Sequence, residues 1–199
     1  MKTLDEIALG TTTDKSPAFH AYTPTYDTLF SSLRDTPIRL LEMGVLSGNS
    51  IKMWAQYFAH PETRIVGIDI HTDWCHPIDD PRVSIIEASQ TDADFFAGLE
   101  PQDIIIDDAG HFASAQIEAF RLAWPLVKPG GWYVVEDLHT YAAPELCDAP
   151  ENLMQFLTRL ATEMQGRGAM ASGKVDASDQ WASIDTLTFR KGLCLIRKA

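Results

Sequence analysis

Short runs rich in isoleucine and valine recur along this chain from about residue 37 onward, and most of them have an acidic residue at or near their C-terminal end. Segments with helical spacing separate these runs. Apolar runs of this length are typical of buried parallel strands. The predicted strands are Ile38–Met43, Arg64–Asp69, Val83–Glu87, Asp103–Asp107 and Trp132–Glu136. The strand–helix–strand alternation predicts an α/β fold with a doubly wound, mostly parallel sheet.

The segments between and after these strands predict helices and a final hairpin. Pro129-Gly130-Gly131 is expected to end one helix and to turn the chain into the next strand. Ile184–Phe189 and Leu193–Arg197 flank Arg190-Lys191-Gly192 and predict a closing antiparallel hairpin, which brings the strand count to seven. The predicted helices are Asn49–Ala59, Asp92–Leu99, Ser114–Val127 and Glu151–Gln165.

The first 36 residues fit no strand, and Thr23–Leu33 has the spacing of a helix. No repeat, low-complexity tract or linker divides the rest of the chain. We therefore expect one globular domain overall, in which residues 1–36 form an N-terminal helical or lid segment and residues 37–199 form the α/β domain.

Charge and composition exclude several classes of partner. The chain carries 16 Lys and Arg against 28 Asp and Glu, a net charge of −12, with no basic run. Nucleic-acid binding rests largely on basic contacts to phosphate, so no nucleic-acid partner is expected. The first ten residues lack the apolar core of a signal peptide, and no window approaches the roughly 18 to 20 apolar residues of a membrane span. Three scattered cysteines without a CxxC pair predict reduced thiols. We expect a cytoplasmic protein.

A glycine-containing loop, Glu42 to Asn49, follows the first strand and leads into a helix. Gly44 would let the backbone approach a ligand, and Gly48 would permit a tight turn. Leu46 stands where the dinucleotide fingerprint has its second glycine and would crowd a pyrophosphate, which disfavours an NAD(P) oxidoreductase. The loop therefore favours a nucleoside ligand without a diphosphate.

Asp69 ends the second strand, where an acid can accept hydrogen bonds from both ribose hydroxyls. An acid after each of the first two strands, with a glycine loop between them, is the arrangement of S-adenosylmethionine enzymes. The alternative is that Gly44 belongs to a plain turn and that Asp69 caps a helix.

Acidic residues also follow the fourth and fifth strands. If these strands are neighbours, Asp108, Glu136 and Asp137 converge at the ligand end of the sheet, where their repulsion would cost about several kcal/mol. Carboxylate ligands suit Mg²⁺ or a similar hard divalent cation. The alternative is that Asp107 and Asp108 cap the following turn while the other two acids face solvent.

His111 stands three residues after Asp108. A histidine can accept a proton near neutral pH, so His111 is the best candidate for a general base. The alternative is a loop histidine that is hydrogen-bonded to the backbone. His20 and His139 are weaker candidates for the same role.

Five stretches, read in order, closely resemble one family. They are LLEMGVLSGNSIKMWAQYF, VGIDI, EASQTDADFF, DIIIDDAGH and LVKPGGWYVVEDLHTYAAP, and the segment around Thr13-Asp14-Lys15 also fits. The family comprises the class I, metal-dependent methyltransferases that O-methylate sugars on macrolides and other natural products, the mycinamicin and calicheamicin sugar O-methyltransferases among them. The resemblance covers about residues 11–198.

The resemblance implies a seven-stranded Rossmann-like methyltransferase sheet, with S-adenosylmethionine as methyl donor and a sugar or glycosylated natural product as small-molecule acceptor. It also suggests a homo-oligomer. It implies a Mg²⁺ site at Asp108, Glu136 and Asp137, with His111 as the catalytic base. The cofactor residues that it implies are Glu42, Gly44, Ser47 or Asn49, Asp69, Gln90 and Asp107.

Two departures from the family leave the acceptor open. Macrolide members carry a large N-terminal auxiliary domain where this sequence has residues 1–36, and the loop that reads Asp-Asp-Gly-Ser-His in relatives reads Asp-Asp-Ala-Gly-His here. Asp176–Trp181 is a further candidate for acceptor contact. A catechol-type O-methyltransferase acting on a small vicinal diol is one alternative, although that class typically uses a lysine base and no lysine adjoins Asp108. A non-catalytic module that binds S-adenosylmethionine or a nucleoside is the other.

Overall fold

A computed structural model describes residues 2–169 and 183–199; for residues 166–169 it describes the backbone alone. Asp176–Trp181, the candidate acceptor segment, lies outside the described residues. The chain divides into two compact units, Met1–Ser89 and Gln90–Ala199. Across the described ranges, no helix is both long enough and apolar enough to cross a membrane.

The first unit combines three parallel strands with three helices. The strands lie in the order β3-β2-β1, with Leu41 opposite Val66 and Gly67 opposite Ile85. Short 3-10 turns follow α2 at Ser31–Leu33 and β2 at Thr72–Trp74. The elements are α1 (Leu4–Thr11), α2 (Thr23–Phe30), β1 (Arg39–Met43), α3 (Asn49–Tyr57), β2 (Arg64–Asp69) and β3 (Val83–Glu87).

Helix α1 was not predicted, although the sequence contains a recognisable signal for its N-terminus. The Thr3 hydroxyl accepts a hydrogen bond from the Glu6 backbone at 3.2 Å, and the Glu6 carboxylate accepts one from the Thr3 backbone at 2.9 Å. This reciprocal capping box is a signature of a helix N-terminus. The predicted helix over Thr23–Leu33 is confirmed as α2 and the 3-10 turn that follows it.

An aromatic cluster joins α2 to α3 in the first unit. The ring of Tyr26 meets Trp54 edge-on at 5.2 Å, and Phe30 and Phe58 complete the cluster. All four side chains are buried. Burying large aromatic side chains contributes about 1.5–3 kcal/mol each, so the N-terminal helices belong to the core of this unit.

The second unit is built on a four-stranded arrangement of mixed direction, in the order β4-β5-β7-β6. β5 runs parallel to β4, and β7 runs antiparallel to both β5 and β6. Short 3-10 turns lie at Trp124–Leu126, Leu138–Ala142 and Pro144–Leu146. The elements are α4 (Ala93–Ala97), β4 (Gln102–Asp107), α5 (Ala113–Ala123), β5 (Val127–Val135), α6 (Leu153–Ala169), β6 (Ile184–Arg190) and β7 (Leu193–Lys198).

The predicted turn at Pro129-Gly130-Gly131 is wrong, because these residues lie inside β5. Gln102 pairs with Val127 but Ile104 pairs with Trp132, so β5 bulges between these two positions. Gly130 has φ +76°, and a Cβ on Gly131 would stand 2.8 Å from the Asp103 carbonyl oxygen. Proline and glycine are common in turns, but here they mark a bulge within a strand.

The predicted fold class is confirmed. The chain is α/β, with a seven-stranded Rossmann-like sheet that is mostly parallel and ends in an antiparallel hairpin. The predicted strands occur with shifts of one residue at most, apart from β5. Helix α5 ends at Ala123, earlier than the predicted Val127, because a 3-10 turn follows it.

Candidate functional site

The glycine loop of the first unit, Glu42 to Asn49, turns sharply between β1 and α3. Gly44 and Gly48 adopt φ values of +91° and +80°, a region that favours glycine. A Cβ on Gly48 would lie 2.7 Å from the Sγ of Cys75. The tight turn predicted at Gly48 is therefore present, and the space beside it admits no side chain without a shift.

The carboxylate of Asp69 holds the backbone of the glycine loop. Its Oδ2 accepts hydrogen bonds from the backbone N–H groups of Val45 and Leu46, each at 2.9 Å, and its Oδ1 accepts one from His71 at 3.0 Å. A carboxylate offers about four lone-pair sites, so about one remains for a ligand. A ribose contact from Asp69 stays a prediction. Leu46 adopts φ +46° and is 60% exposed.

Glu42 lies at the end of β1 and is completely buried. The indole Nε1 of Trp54 donates a hydrogen bond to its Oε2 at 2.8 Å, and the Lys15 ammonium lies 3.3 Å from its Oε1. Lys15 is also fully buried. Sequence reasoning singled out both segments but did not connect them, because residues 15 and 42 meet only through tertiary structure.

The other predicted cofactor residues of the loop also make contacts within the first unit. The Asn49 side-chain amide donates to the Thr12 hydroxyl at 3.2 Å, and the Ser47 carbonyl accepts from the His76 backbone at 3.2 Å. These bonds connect the loop to the N-terminal segment and to the turn after β2. Their roles towards a cofactor stay predictions.

In the second unit, Asp108, His111 and Asp137 form what we call the strand-end cluster. Each offers one ligand atom, and these atoms all lie within 4.8 Å of one another. All three side chains are half-buried, and His111 Nε2 lies 3.7 Å from Asp137 Oδ2. The expected convergence of acids after β4 and β5 is present for Asp108 and Asp137.

Glu136 stands apart from this cluster. Its side chain is buried, and its backbone N–H donates to the Asp107 carbonyl at 3.0 Å. The cluster contains His111 beside the two aspartates, and a ligand role for Glu136 stays a prediction.

The backbone around Asp137 is specialised. Asp137 adopts φ +52°, a left-handed conformation that is rare outside glycine, and the next N–H, that of Leu138, donates to the Gly192 carbonyl at 3.0 Å. Positive φ in an aspartate costs about 1 kcal/mol or more and is common at functional sites. The Gly192 carbonyl lies in the turn between β6 and β7, so this turn supports the strand-end cluster.

Asp107 is fully buried and accepts a hydrogen bond from the Tyr133 hydroxyl at 3.1 Å. Burial raises the pKa of Asp107 to about 7, although the bonds from Tyr133 and from the Ala109 backbone act in the opposite direction. Gln90 is also buried, and its Oε1 would lie 3.4 Å from a Cβ on Gly110. Gln90 thus lies against the Asp-Asp-Ala-Gly-His loop at ordinary contact distance.

The loop after β5 is attached to the start of α5. The Asp148 carboxylate accepts hydrogen bonds from the Ser114 backbone at 2.9 Å and from its hydroxyl at 2.6 Å. These bonds lower the pKa of Asp148 and cap the helix, whose own N-cap residue, Phe112, has no capping side chain. Phe112 and Tyr141 are 47% and 45% exposed and present aromatic surface near the cluster in sequence.

The sequence of this chain matches known proteins along most of its length. Residues 41–138 match a family model described as a methyltransferase domain. The chain is 39% identical over 152 residues to the 8-demethyl-8-(2-methoxy-alpha-L-rhamnosyl)-tetracenomycin-C 3'-O-methyltransferase of Streptomyces olivaceus, covering 71% of this chain and 38% of that protein. It is 36% identical over 148 residues to the mycinamicin VI 2''-O-methyltransferase of Micromonospora griseorubida, covering 69% of this chain and 36% of that protein.

The fold matches a solved methyltransferase over its whole length. The structure of the MycE methyltransferase from the mycinamycin biosynthetic pathway, in complex with Mg, SAH and mycinamycin VI, superposes with a TM-score of 0.85 and 27% sequence identity. That match covers 100% of this chain and 54% of the MycE chain. The chain therefore spans between about a third and just over half of the length of these relatives.

The α/β sheet with its antiparallel C-terminal hairpin and the family match define a methyltransferase domain. Residues 41–138 therefore form a domain of this methyltransferase family, and the chain is similar in sequence to sugar O-methyltransferases.

Proposed function

We propose that this chain transfers the methyl group of S-adenosylmethionine to a sugar hydroxyl of a glycosylated natural product, with Mg²⁺ or a similar divalent cation. The names of the relatives, which specify rhamnosyl tetracenomycin-C and mycinamicin VI, support this acceptor class. The observation that carries the proposal is the strand-end cluster, which gathers two carboxylates and an imidazole within 4.8 Å.

The donor set of the cluster fits a hard divalent cation. Asp108 and Asp137 supply carboxylate oxygens, the ligands that Mg²⁺ prefers, and two such charges at this separation repel each other unless a cation compensates them. These two residues would hold the ion, with Glu136 as the third predicted ligand. When bound there, the cation stabilises the negative charge that develops on the acceptor oxygen, by about several kcal/mol.

His111 is proposed as the general base. Its Nδ1 is buried and makes no hydrogen bond to a described residue, and its Nε2 lies 3.7 Å from the Asp137 carboxylate. An imidazole that takes the proton from the acceptor becomes positively charged, and the neighbouring carboxylate stabilises that charge. Proton removal by a positioned base contributes about 10²- to 10⁴-fold to such reactions.

We propose cofactor-binding residues within each of the two units. The first unit supplies Glu42, Gly44, Ser47, Asn49 and Asp69, and the second supplies Gln90 and Asp107. Local geometry supports Gly44 and Asp69 most directly. Gly44 has a positive φ that favours glycine, and the Asp69 carboxylate fixes the loop by accepting a hydrogen bond from its backbone. The same proposal includes the division of the chain into a helical or lid segment, residues 1–36, and a methyltransferase domain, residues 37–199. It also includes a cytoplasmic location and a homo-oligomer.

The test is a methyl-transfer assay with S-adenosylmethionine, Mg²⁺ and separate acceptors: rhamnosylated polyketides, macrolide glycosides and catechols. Mass spectrometry detects S-adenosylhomocysteine and the methylated product. Methylation of a glycoside that stops with excess EDTA supports the proposal. Methylation of catechols alone assigns the chain to the catechol-type class, and binding of S-adenosylmethionine without turnover of any acceptor identifies a binding module.

A further inference from the structure

Two polar bridges connect the N-terminal segment to the two ends of the glycine loop. The Lys15 ammonium lies 3.3 Å from the carboxylate of Glu42, the first residue of the loop. The Thr12 hydroxyl accepts a hydrogen bond at 3.2 Å from Asn49, the last residue of the loop. All four residues belong to the first unit. The loop between these two bridges is therefore held at both ends by a segment that precedes β1 in the chain.

The Lys15 bridge is the more demanding of the two. Both charged side chains are completely buried, and burial of an ion pair costs desolvation energy that is recovered only when the geometry is good. The Lys15 backbone also participates, since its carbonyl accepts from the Tyr22 and Thr23 N–H groups at 3.0 and 3.3 Å. Lys15 is thus fixed at its backbone and directed inward towards the end of β1.

Glu42 is in turn held on its other oxygen by the Trp54 indole of α3. The carboxylate therefore connects three segments: the N-terminal segment, the end of β1 and the helix that follows the loop. Removing the Lys15 charge would take away the positive charge that lies 3.3 Å from this buried carboxylate. Such a group rearranges or takes up a proton, and the loop attached to it is released.

We propose that Lys15 is a positioning residue for the cofactor site: its buried ammonium ties the N-terminal segment to Glu42 and holds the glycine loop in the conformation that binds S-adenosylmethionine. This inference rests on the proposed function. A loop that occupies its binding conformation only a fraction of the time weakens the apparent affinity by that fraction. Lys15 therefore acts on cofactor binding through the loop.

The experiment measures loop order and cofactor affinity separately on the full chain. Lys15→Met keeps the length of the side chain and removes its charge. We expect amide hydrogen exchange of Val45, Leu46 and Gly48 to become at least tenfold faster without ligand, and the Kd for S-adenosylhomocysteine, measured by calorimetry, to rise about tenfold. NMR of the Trp54 indole N–H, which reports on the Glu42 carboxylate, should show a shifted signal.

Lys128→Met is the matched control. Lys128 also forms an ion pair, with Asp103 at 2.7 Å, but this pair is partly exposed and lies in the second unit. The control should leave loop exchange, the indole signal and the Kd unchanged. If Lys15→Met does the same, the proposal is overturned.

Lys15→Met/Glu42→Gln covers the case in which the single variant fails to fold, because it removes both buried charges together and the Gln amide oxygen can still accept the Trp54 hydrogen bond. We expect this double variant to bind S-adenosylhomocysteine about tenfold more weakly and its unliganded loop amides to exchange at least tenfold faster; the exchange distinguishes a released loop from a lost direct contact between Glu42 and the cofactor. Wild-type affinity in the double variant would show that the pair serves stability alone and would overturn the proposal. If the wild-type chain itself binds no S-adenosylhomocysteine, the proposed function fails, and normal loop exchange in Lys15→Met would refute the tether independently.

Discussion

The glycine loop and the strand-end cluster both gather carboxylates, but they differ in how those charges are balanced. In the first unit, Glu42 is buried against a lysine and an indole, and Asp69 accepts three backbone hydrogen bonds. In the second unit, Asp108 and Asp137 are half-buried, and their ligand atoms converge with that of His111. One region balances its acids within the protein, and the other has the donor set of a cation site.

This difference predicts different costs for substitutions in the two regions. A residue of the glycine loop is part of a packed and bonded arrangement, so replacing it should lower stability and cofactor affinity. A residue of the strand-end cluster contributes a charge that repels its neighbour, so replacing it should lower activity and leave stability unchanged or raised. Four measurements can sharpen or contradict this contrast.

His111→Ala tests the strand-end cluster most directly. We expect kcat to fall by about 10²- to 10⁴-fold, because the proton acceptor is lost, while the calorimetric Kd for S-adenosylhomocysteine stays the same. His139→Ala is the control, since His139 is an exposed histidine of the neighbouring loop. A wild-type rate in His111→Ala would remove the general-base assignment.

Asp137→Ala tests the metal in the same region. We expect the Mg²⁺ concentration that gives half-maximal activity to rise by about tenfold or more, because one carboxylate ligand is lost. Alanine is strained at φ +52°, so stability is compared with Asp137→Asn, which removes the same charge and tolerates this backbone conformation. In EDTA, the melting temperature of Asp137→Asn should equal or exceed that of the wild type, since a like charge beside Asp108 has been removed. Full wild-type activity in excess EDTA would contradict the metal site.

Gly48→Ala tests the glycine loop. An added Cβ meets Cys75 at 2.7 Å and requires a strained φ near +80°, so we expect about 2 kcal/mol of lost stability in chemical denaturation. Gly10→Ala is the control, because nothing lies within 4 Å of a Cβ there and alanine favours helix α1 by up to about 1 kcal/mol. Equal stabilities of the two variants would contradict the close packing of the loop.

Asp148→Ala has the smallest expected effect. The Ser114 hydrogen bonds lower the pKa of Asp148 in the folded state, so its stabilising contribution is present above the ordinary aspartate pKa and is lost as the pH falls through the lowered value. The melting temperature of the variant should lie slightly below that of the wild type at neutral pH, and the two should converge in acid, once Asp148 is protonated in the folded state as well. A difference that persists in acid would point to a role other than helix capping.

The strands and the acids at their ends were predictable, because apolar runs and their terminal carboxylates are local features of the sequence. The capping box at Thr3 and Glu6 was also readable, since it depends on residues three positions apart. The buried contact between Lys15 and Glu42 was not, because it joins residues from different elements and depends on how they pack.

One further difference has a local physical cause. Pro129-Gly130-Gly131 has the composition of a turn and of a bulge, and only the pairing of β5 with β4 distinguishes them. Glu136 and Asp137 were expected as ligands of one metal ion; the cluster contains Asp137 with Asp108 and His111, and the role of Glu136 stays a prediction. The sequence nonetheless predicted Asp108 and Asp137 at one cluster, because parallel strands β4 and β5 end at the same edge.

The hydrogen bond from Leu138 to Gly192 has a practical consequence for engineering this chain. The tight turn after β6 is a surface hairpin of the sort often chosen for inserting an epitope or a fluorescent label. Here its carbonyl supports the backbone directly after Asp137. An insertion at that hairpin would disturb the backbone beside Asp137 and, with it, the proposed metal site, so labels are better attached at the exposed Lys2.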